Sequence, residues 1–130
     1  MKVLSLPLLL SRVAAGFPSP AEDYVEQFLD LNDHLITHPA ATFFVRAVGY
    51  SMADAGIHPG DLLVVDRSAQ VLDGDVAVCR LDGEFTVKRF RRRRDGIVLE
   101  PANGAHQSIA VSPHAEFEIW GKVTYVIHEP

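Results

Sequence analysis

The sequence is poor in cysteine, in lysine and in long apolar runs, and each shortage narrows what the chain can be. Cys79 is the only cysteine among 130 residues. No intrachain disulfide can form, which fits a reducing, cytoplasmic setting. Cys79 lies in Val76-Ala77-Val78-Cys79, a setting that reads as a buried, inert thiol rather than a reactive one. No apolar stretch reaches the ~18 residues that a membrane-spanning helix needs, so no membrane partner is expected. Basic residues are outnumbered, 12 against 17 acidic ones, for a net charge of −5. The chain as a whole is therefore not expected to bind nucleic acid generally. The six histidines show no His-Glu-X-X-His spacing, and with one cysteine a structural zinc site is not expected. No phosphate-binding glycine loop is present, so no cofactor and no metal are anticipated.

What remains is an ordinary globular composition. The chain is 48% hydrophobic and 22% charged, which excludes a wholly disordered protein. At this length one domain with one core is expected. Residues 1–22 read as an N-terminal arm, because Pro18 and Pro20 break regular structure and no periodic pattern is sustained. Its start imitates a secretory signal: Met1-Lys2, an apolar stretch from Val3 to Leu10, then Val13-Ala14-Ala15. Pro7 inside that stretch and Arg12 after it weaken the imitation.

Residues 23–130 form the expected domain. Residues 23–32 suit a short helix or an irregular strand, and His34 to Pro39 a turn or helical turn. From Thr42 onward the signals favour strands. Thr42 to Val48 is aromatic and β-branched, Asp61 to Asp66 is a short apolar run between acids, and Asp75 to Leu81 alternates in part. Asp82-Gly83 and Asp95-Gly96 are two-residue hairpin signals, leading into Glu84 to Arg92 and Ile97 to Leu99. Ser108 to Val111 and Glu116 to His128 complete the set. The fold class is mainly β, with a twisted or barrel-like sheet.

Two residues carry candidate chemistry. Ser51 sits in the turn Gly49-Tyr50-Ser51-Met52, where Gly49 permits an unusual backbone angle. Backbone N–H groups around Ser51, with Tyr50 and Met52 as loop support, can face a developing oxyanion. Lys88, one of only three lysines, lies inside the strand-like Glu84-Phe85-Thr86-Val87-Lys88-Arg89-Phe90. A neutral lysine can take the proton of a serine hydroxyl as its oxygen attacks a carbonyl. A free lysine has a pKa near 10.4, and lowering it by about three units costs ~4 kcal/mol. Burial among apolar residues supplies shifts of that size. Strand alternation puts Thr86 and Phe90 on the face of Lys88, the hydroxyl to bond a neutral amine and the ring to desolvate it. A Ser/His/Asp site using His34, His58 or His106 stays open, although no Gly-X-Ser-X-Gly elbow surrounds Ser51. The run Lys88 to Arg94 has six basic residues in seven. It reads either as a contact surface for DNA or an acidic protein or as a solvated hairpin end.

Several of these segments, in order, resemble the UmuD proteins, which group with LexA among the self-cleaving Ser/Lys peptidases of the bacterial DNA-damage response. They are Gly16-Phe17-Pro18-Ser19-Pro20-Ala21-Glu22-Asp23-Tyr24-Val25-Glu26-Gln27, Asp30-Leu31-Asn32, Gly49-Tyr50-Ser51-Met52, Gly60-Asp61-Leu62-Leu63-Val64-Val65-Asp66 and Asp82-Gly83-Glu84-Phe85-Thr86-Val87-Lys88. The resemblance runs from about Ala15 to the C-terminus. It implies a LexA-like peptidase domain in which Ser51 is the nucleophile, Lys88 the general base and Ala15-Gly16 the bond cut. It also implies a homodimer, a RecA–single-stranded-DNA filament as trigger, and a Y-family polymerase of the UmuC type as partner. LexA carries a helix-turn-helix domain that this chain has no room for, so sequence-specific DNA binding is not expected. An alanine-glycine bond would look like a signal cleavage site because signal peptidases use similar chemistry and also favour small residues. Two other readings stay in view: a mainly non-enzymatic regulatory subunit of a polymerase complex, and a membrane-associated signal peptidase.

Overall fold

The computed structural model describes residues 4–10, 12–17 and 24–130. The chain divides into two compact units, Met1–Thr37 and His38–Pro130. Pro18 and Pro20, which underlie the expected break in the arm, lie outside the described residues.

In the first unit, β1 (Leu6–Leu9) pairs antiparallel with β2 (Val25–Leu29). A one-turn helix, α1 (Leu31–Leu35), follows. Its N-cap is Asp30, whose carboxylate accepts from the Asn32 N–H at 2.9 Å, so one otherwise orphaned helix donor is satisfied. Within residues 24–32 both states left open occur, a strand over Val25–Leu29 and then the start of a helix at Leu31, while Asp23 lies outside the described residues. Strand β1 comes from the apolar start that imitates a secretory signal.

The second unit is one seven-stranded antiparallel sheet. Its strands are β3 (Thr42–Arg46), β4 (Leu62–Asp66), β5 (Val76–Leu81), β6 (Glu84–Arg93), β7 (Gly96–Glu100), β8 (Ile109–Ala110) and β9 (Phe117–Ile127). The spatial order is β3-β4-β9-β5-β6-β7-β8. The mainly β expectation holds, but the sheet is not a closed barrel. Its two ends, β3 and β8, do not pair with each other, and a two-residue β8 offers too short an edge to close on.

Turn chemistry explains the β5–β6 hairpin. Asp82 has φ 49° and Gly83 φ 84°, the positive pair that a type I′ turn needs and that Asp-Gly supplies at little cost. This turn fixes the register in which Thr86 faces Cys79 and Lys88 faces Ala77.

Two apolar clusters lie on opposite faces of β5. Val78 joins Ala47, Met52, Ile57, Leu63 and Val65 on one side. Ala77 and Cys79 join Phe90 and Leu99 on the other. A strand with core on both faces needs apolar residues at consecutive positions, which is why Val76 to Cys79 alternates poorly. Cys79 is fully buried, and burial pushes its thiol up to about 11, which fits the inert reading.

Asp61 and Asp66 bracket β4 and are its buried polar ends. Asp66 accepts from His38 Nδ1 at 2.6 Å and from the Ser68 hydroxyl and N–H. The His38 bond is the main reason its carboxyl falls to about 2.

Gly121 is buried in β9, paired with Val78 of β5 beside the register shift between Val78 and Cys79. A Cβ there would lie 2.7 Å from Val65 Cγ1 and 2.9 Å from the Asp66 carbonyl oxygen. Gly121→Ala is expected to destabilise the domain by about 1–3 kcal/mol through overpacking. Urea unfolding monitored by Trp120 fluorescence measures this as a lowered midpoint at unchanged slope.

Candidate functional site

Ser51 and Lys88, 37 residues apart in sequence, meet in the second unit with Lys88 Nζ 3.2 Å from Ser51 Oγ. They face a cleft of about 230 Å³. One wall is the segment Val45 to Gly49, which continues β3 toward the serine, and the other is Phe85 to Lys88 of β6. The cleft floor includes the buried side chains of Met52, Ile57 and Val78.

Lys88 is half-buried and has three hydrogen-bonding neighbours. Besides Ser51 Oγ, its Nζ lies 2.7 Å from Thr86 Oγ1 and 3.2 Å from the Val87 carbonyl oxygen. No carboxylate is among them. Desolvation by burial lowers the lysine from its ordinary value, and proximity to the Cys79 thiol opposes this only in part. The same-face relation of Thr86 to Lys88 follows from strand alternation. Phe90, the other same-face neighbour, is fully buried in the cluster with Ala77 and Cys79.

The turn carrying Ser51 starts at Gly49, whose φ of 78° is a left-handed angle that glycine adopts readily. It then runs into a single 3-10 turn, Ala53–Ala55, closed by Gly56. Met52 is almost completely buried and pins the turn to the core. Tyr50 has an exposed side chain and contributes its carbonyl, which accepts from the Ala53 N–H and the Asn103 side chain.

The segment after β7 is a partner that sequence reasoning missed. The Ala102 N–H donates to the Ser51 carbonyl at 2.7 Å, and the Asp54 N–H donates to the Ala102 carbonyl at 2.7 Å. Asn103 Nδ2 donates to the Tyr50 carbonyl at 2.9 Å. Asn103-Gly104 is legible only as a turn, and nothing in its pattern points fifty residues back. Among the described residues, no hydrogen bond that builds this turn uses the N–H of Ser51 or Met52.

The other candidates fall elsewhere. Ala15 and Gly16 are exposed in a bend of the first unit, between the strongly exposed Val13 and Phe17. His58 bonds through its N–H to Asp61, away from Ser51's own partners. The basic run is a hairpin end. Arg89 donates to the Gly74 carbonyl, while Arg91 and Arg93 pair with Asp73 and Glu100. No helix of the described residues is long and apolar enough to cross a membrane.

A family model described as "Peptidase S24-like" matches residues 7–124. Protein SamA of Salmonella typhimurium is 49% identical over 95% of this chain and 85% of its own length. Protein ImpA of Escherichia coli is 51% identical over 94% of this chain and 83% of its own. Protein MucA of Escherichia coli is 43% identical over 98% and 88%, respectively.

Proposed function

The chain belongs to the S24-like peptidase family, and from that premise we propose that it is a serine peptidase whose substrate is its own N-terminal arm. Ser51 is the nucleophile, Lys88 the general base and Ala15-Gly16 the bond cut. The observation that carries this reading is the 3.2 Å approach of Lys88 Nζ to Ser51 Oγ at a cleft, with the lysine desolvated and no carboxylate against it.

The hydrogen-bond count suits the chemistry. A neutral amine has two N–H bonds and one lone pair. Thr86 Oγ1 and the Val87 carbonyl can accept the two N–H bonds, which leaves the lone pair directed at the Ser51 hydroxyl. As Oγ attacks the Ala15 carbonyl carbon, its proton passes to Nζ. The uncommitted N–H groups of Ser51 and Met52 are the donors for the oxyanion. Collapse breaks the C–N bond, and Nζ returns the proton to the Gly16 amine. Water then hydrolyses the acyl-enzyme by the reverse route. The exposure of Ala15 and Gly16 leaves their backbone accessible to such a cleft.

In the cell the proposed reading goes further. The protein is a cytoplasmic homodimer of the DNA-damage (SOS) response, and a RecA–single-stranded-DNA filament stimulates the cut. The shortened chain, from Gly16 onward, is an accessory subunit of a Y-family translesion polymerase. These steps rest on the family resemblance.

The direct test is the intact mass of the purified chain. Incubation at alkaline pH, and separately with RecA, single-stranded DNA and a nucleotide, is expected to remove residues 1–15. Cleavage at another bond, or none under either condition, overturns the assignment.

A further inference from the structure

On the second unit, outside the dyad, two histidines converge on one buried carboxylate. Asp61, at the head of β4, is almost wholly buried. His128 follows the end of β9, and its Nδ1 lies 2.6 Å from Asp61 Oδ1. His58 precedes Asp61 by three residues, and its Nδ1 lies 3.8 Å from Asp61 Oδ2. The pairing of Leu62 with Ile127 brings the ends of β4 and β9 side by side and so sets the constellation. The two imidazole rings are 5.4 Å apart, centroid to centroid.

We propose that His58, Asp61 and His128 form a binding site for a divalent transition cation of the zinc type. One ligand atom from each residue lies within 4.8 Å of the other two. Ligands held about 2.0–2.2 Å from zinc stand roughly 3–4 Å from one another. The site therefore needs rotations of about an ångström, and both histidines are half exposed and free to make them. Imidazole nitrogen with one carboxylate oxygen suits zinc, cobalt, nickel and copper better than magnesium or calcium, which prefer oxygen ligands. The carboxylate is already oriented, because the His58 N–H donates to Asp61 Oδ2 at 2.8 Å. Such an outer hydrogen bond holds a ligand in place for a metal. The exposed side of the two rings leaves a fourth position for water or for a group from elsewhere.

The placement gives the cation a consequence. Ala47 lines the cleft, and its N–H donates to the Asp61 carbonyl while its own carbonyl accepts from the Gly60 N–H. A cation on Asp61 and His58 thus clamps the segment that joins the serine turn to β4. Sequence spacing gave no sign of it, since one ligand comes from the chain's far end and the other two are separated by only two residues.

Calorimetric titration of the full chain with zinc chloride, after chelator treatment, tests the site. Saturable binding of about one zinc per chain is expected, with a rise of several degrees in Tm. His128→Ala and His58→Ala, both at exposed positions, should each weaken binding by at least about tenfold. His114→Ala, at an exposed histidine elsewhere, should bind as the unchanged chain does. No saturable heat, equal affinity in His128→Ala, or an equal loss in His114→Ala overturns the proposal and leaves a hydrogen-bonded cluster only.

Discussion

Ser51→Ala is expected to stop self-cleavage altogether while leaving the domain folded. Removing the nucleophile of a serine peptidase costs about 10⁶ in rate, and self-cleavage slowed that far yields no product in an overnight incubation. The fold has little at stake in the hydroxyl. Among the described residues its one hydrogen bond is to Lys88, which keeps Thr86 and Val87 as neighbours. The turn itself is built by backbone groups and by Met52. Intact mass should therefore show the full chain, and the thermal midpoint should stay within a few degrees of the unchanged protein. Release of residues 1–15 by Ser51→Ala would assign the nucleophile elsewhere.

Lys88→Ala is expected to slow cleavage by about 10²–10⁴-fold, the range for a lost general base, and to change its pH dependence. In the proposed mechanism the neutral amine is the active form. Burial lowers the lysine below its ordinary value, so the rate of the unchanged chain should climb tenfold per pH unit and level off before pH reaches about 10.4. The variant should lose that climb. Stability has the same sign. The unfolded chain keeps the lysine proton to higher pH than the folded one, so it binds more protons in the window between the two values. Stability therefore rises with pH across that window, and Lys88→Ala should flatten the rise. Cleavage and unfolding followed from pH 6 to 10.5 separate the two effects, and an unchanged rate profile in the variant would rule out Lys88 as the base.

Sequence pattern reached most of the sheet because turns and alternation are local. Asp82-Gly83 and Asp95-Gly96 mark the two hairpins that the structure forms at β5–β6 and β6–β7, and alternation along β6 puts Thr86 beside Lys88. The strand order was not legible. It depends on β9 inserting between β4 and β5, a long-range choice that no local signal states. That the twisted sheet stays open was not legible either, since closure depends on edges that only the assembled sheet reveals. The serine and lysine could be singled out by residue type, but their distance could not, and the Ala102–Asn103 contacts and the His58–Asp61–His128 cluster have no sequence signal at all. The helix α1 is five residues long, too short for periodicity to show.

The bonds between Ala102 and the Ser51 turn bear on how the site tolerates change. Counted along the backbone, the serine and the lysine are 37 positions apart. Counted along bonds, the serine turn is fastened to the chain just past β7, and β7 is laddered to β6, where the lysine sits. Both members of the proposed dyad are thus tied to one hairpin, as two tools on a single jig. A one-position slip between β6 and β7 therefore displaces one tool relative to the other. The spacing of the dyad is thus set by the short way round through β7 rather than by the 37-position path along the chain.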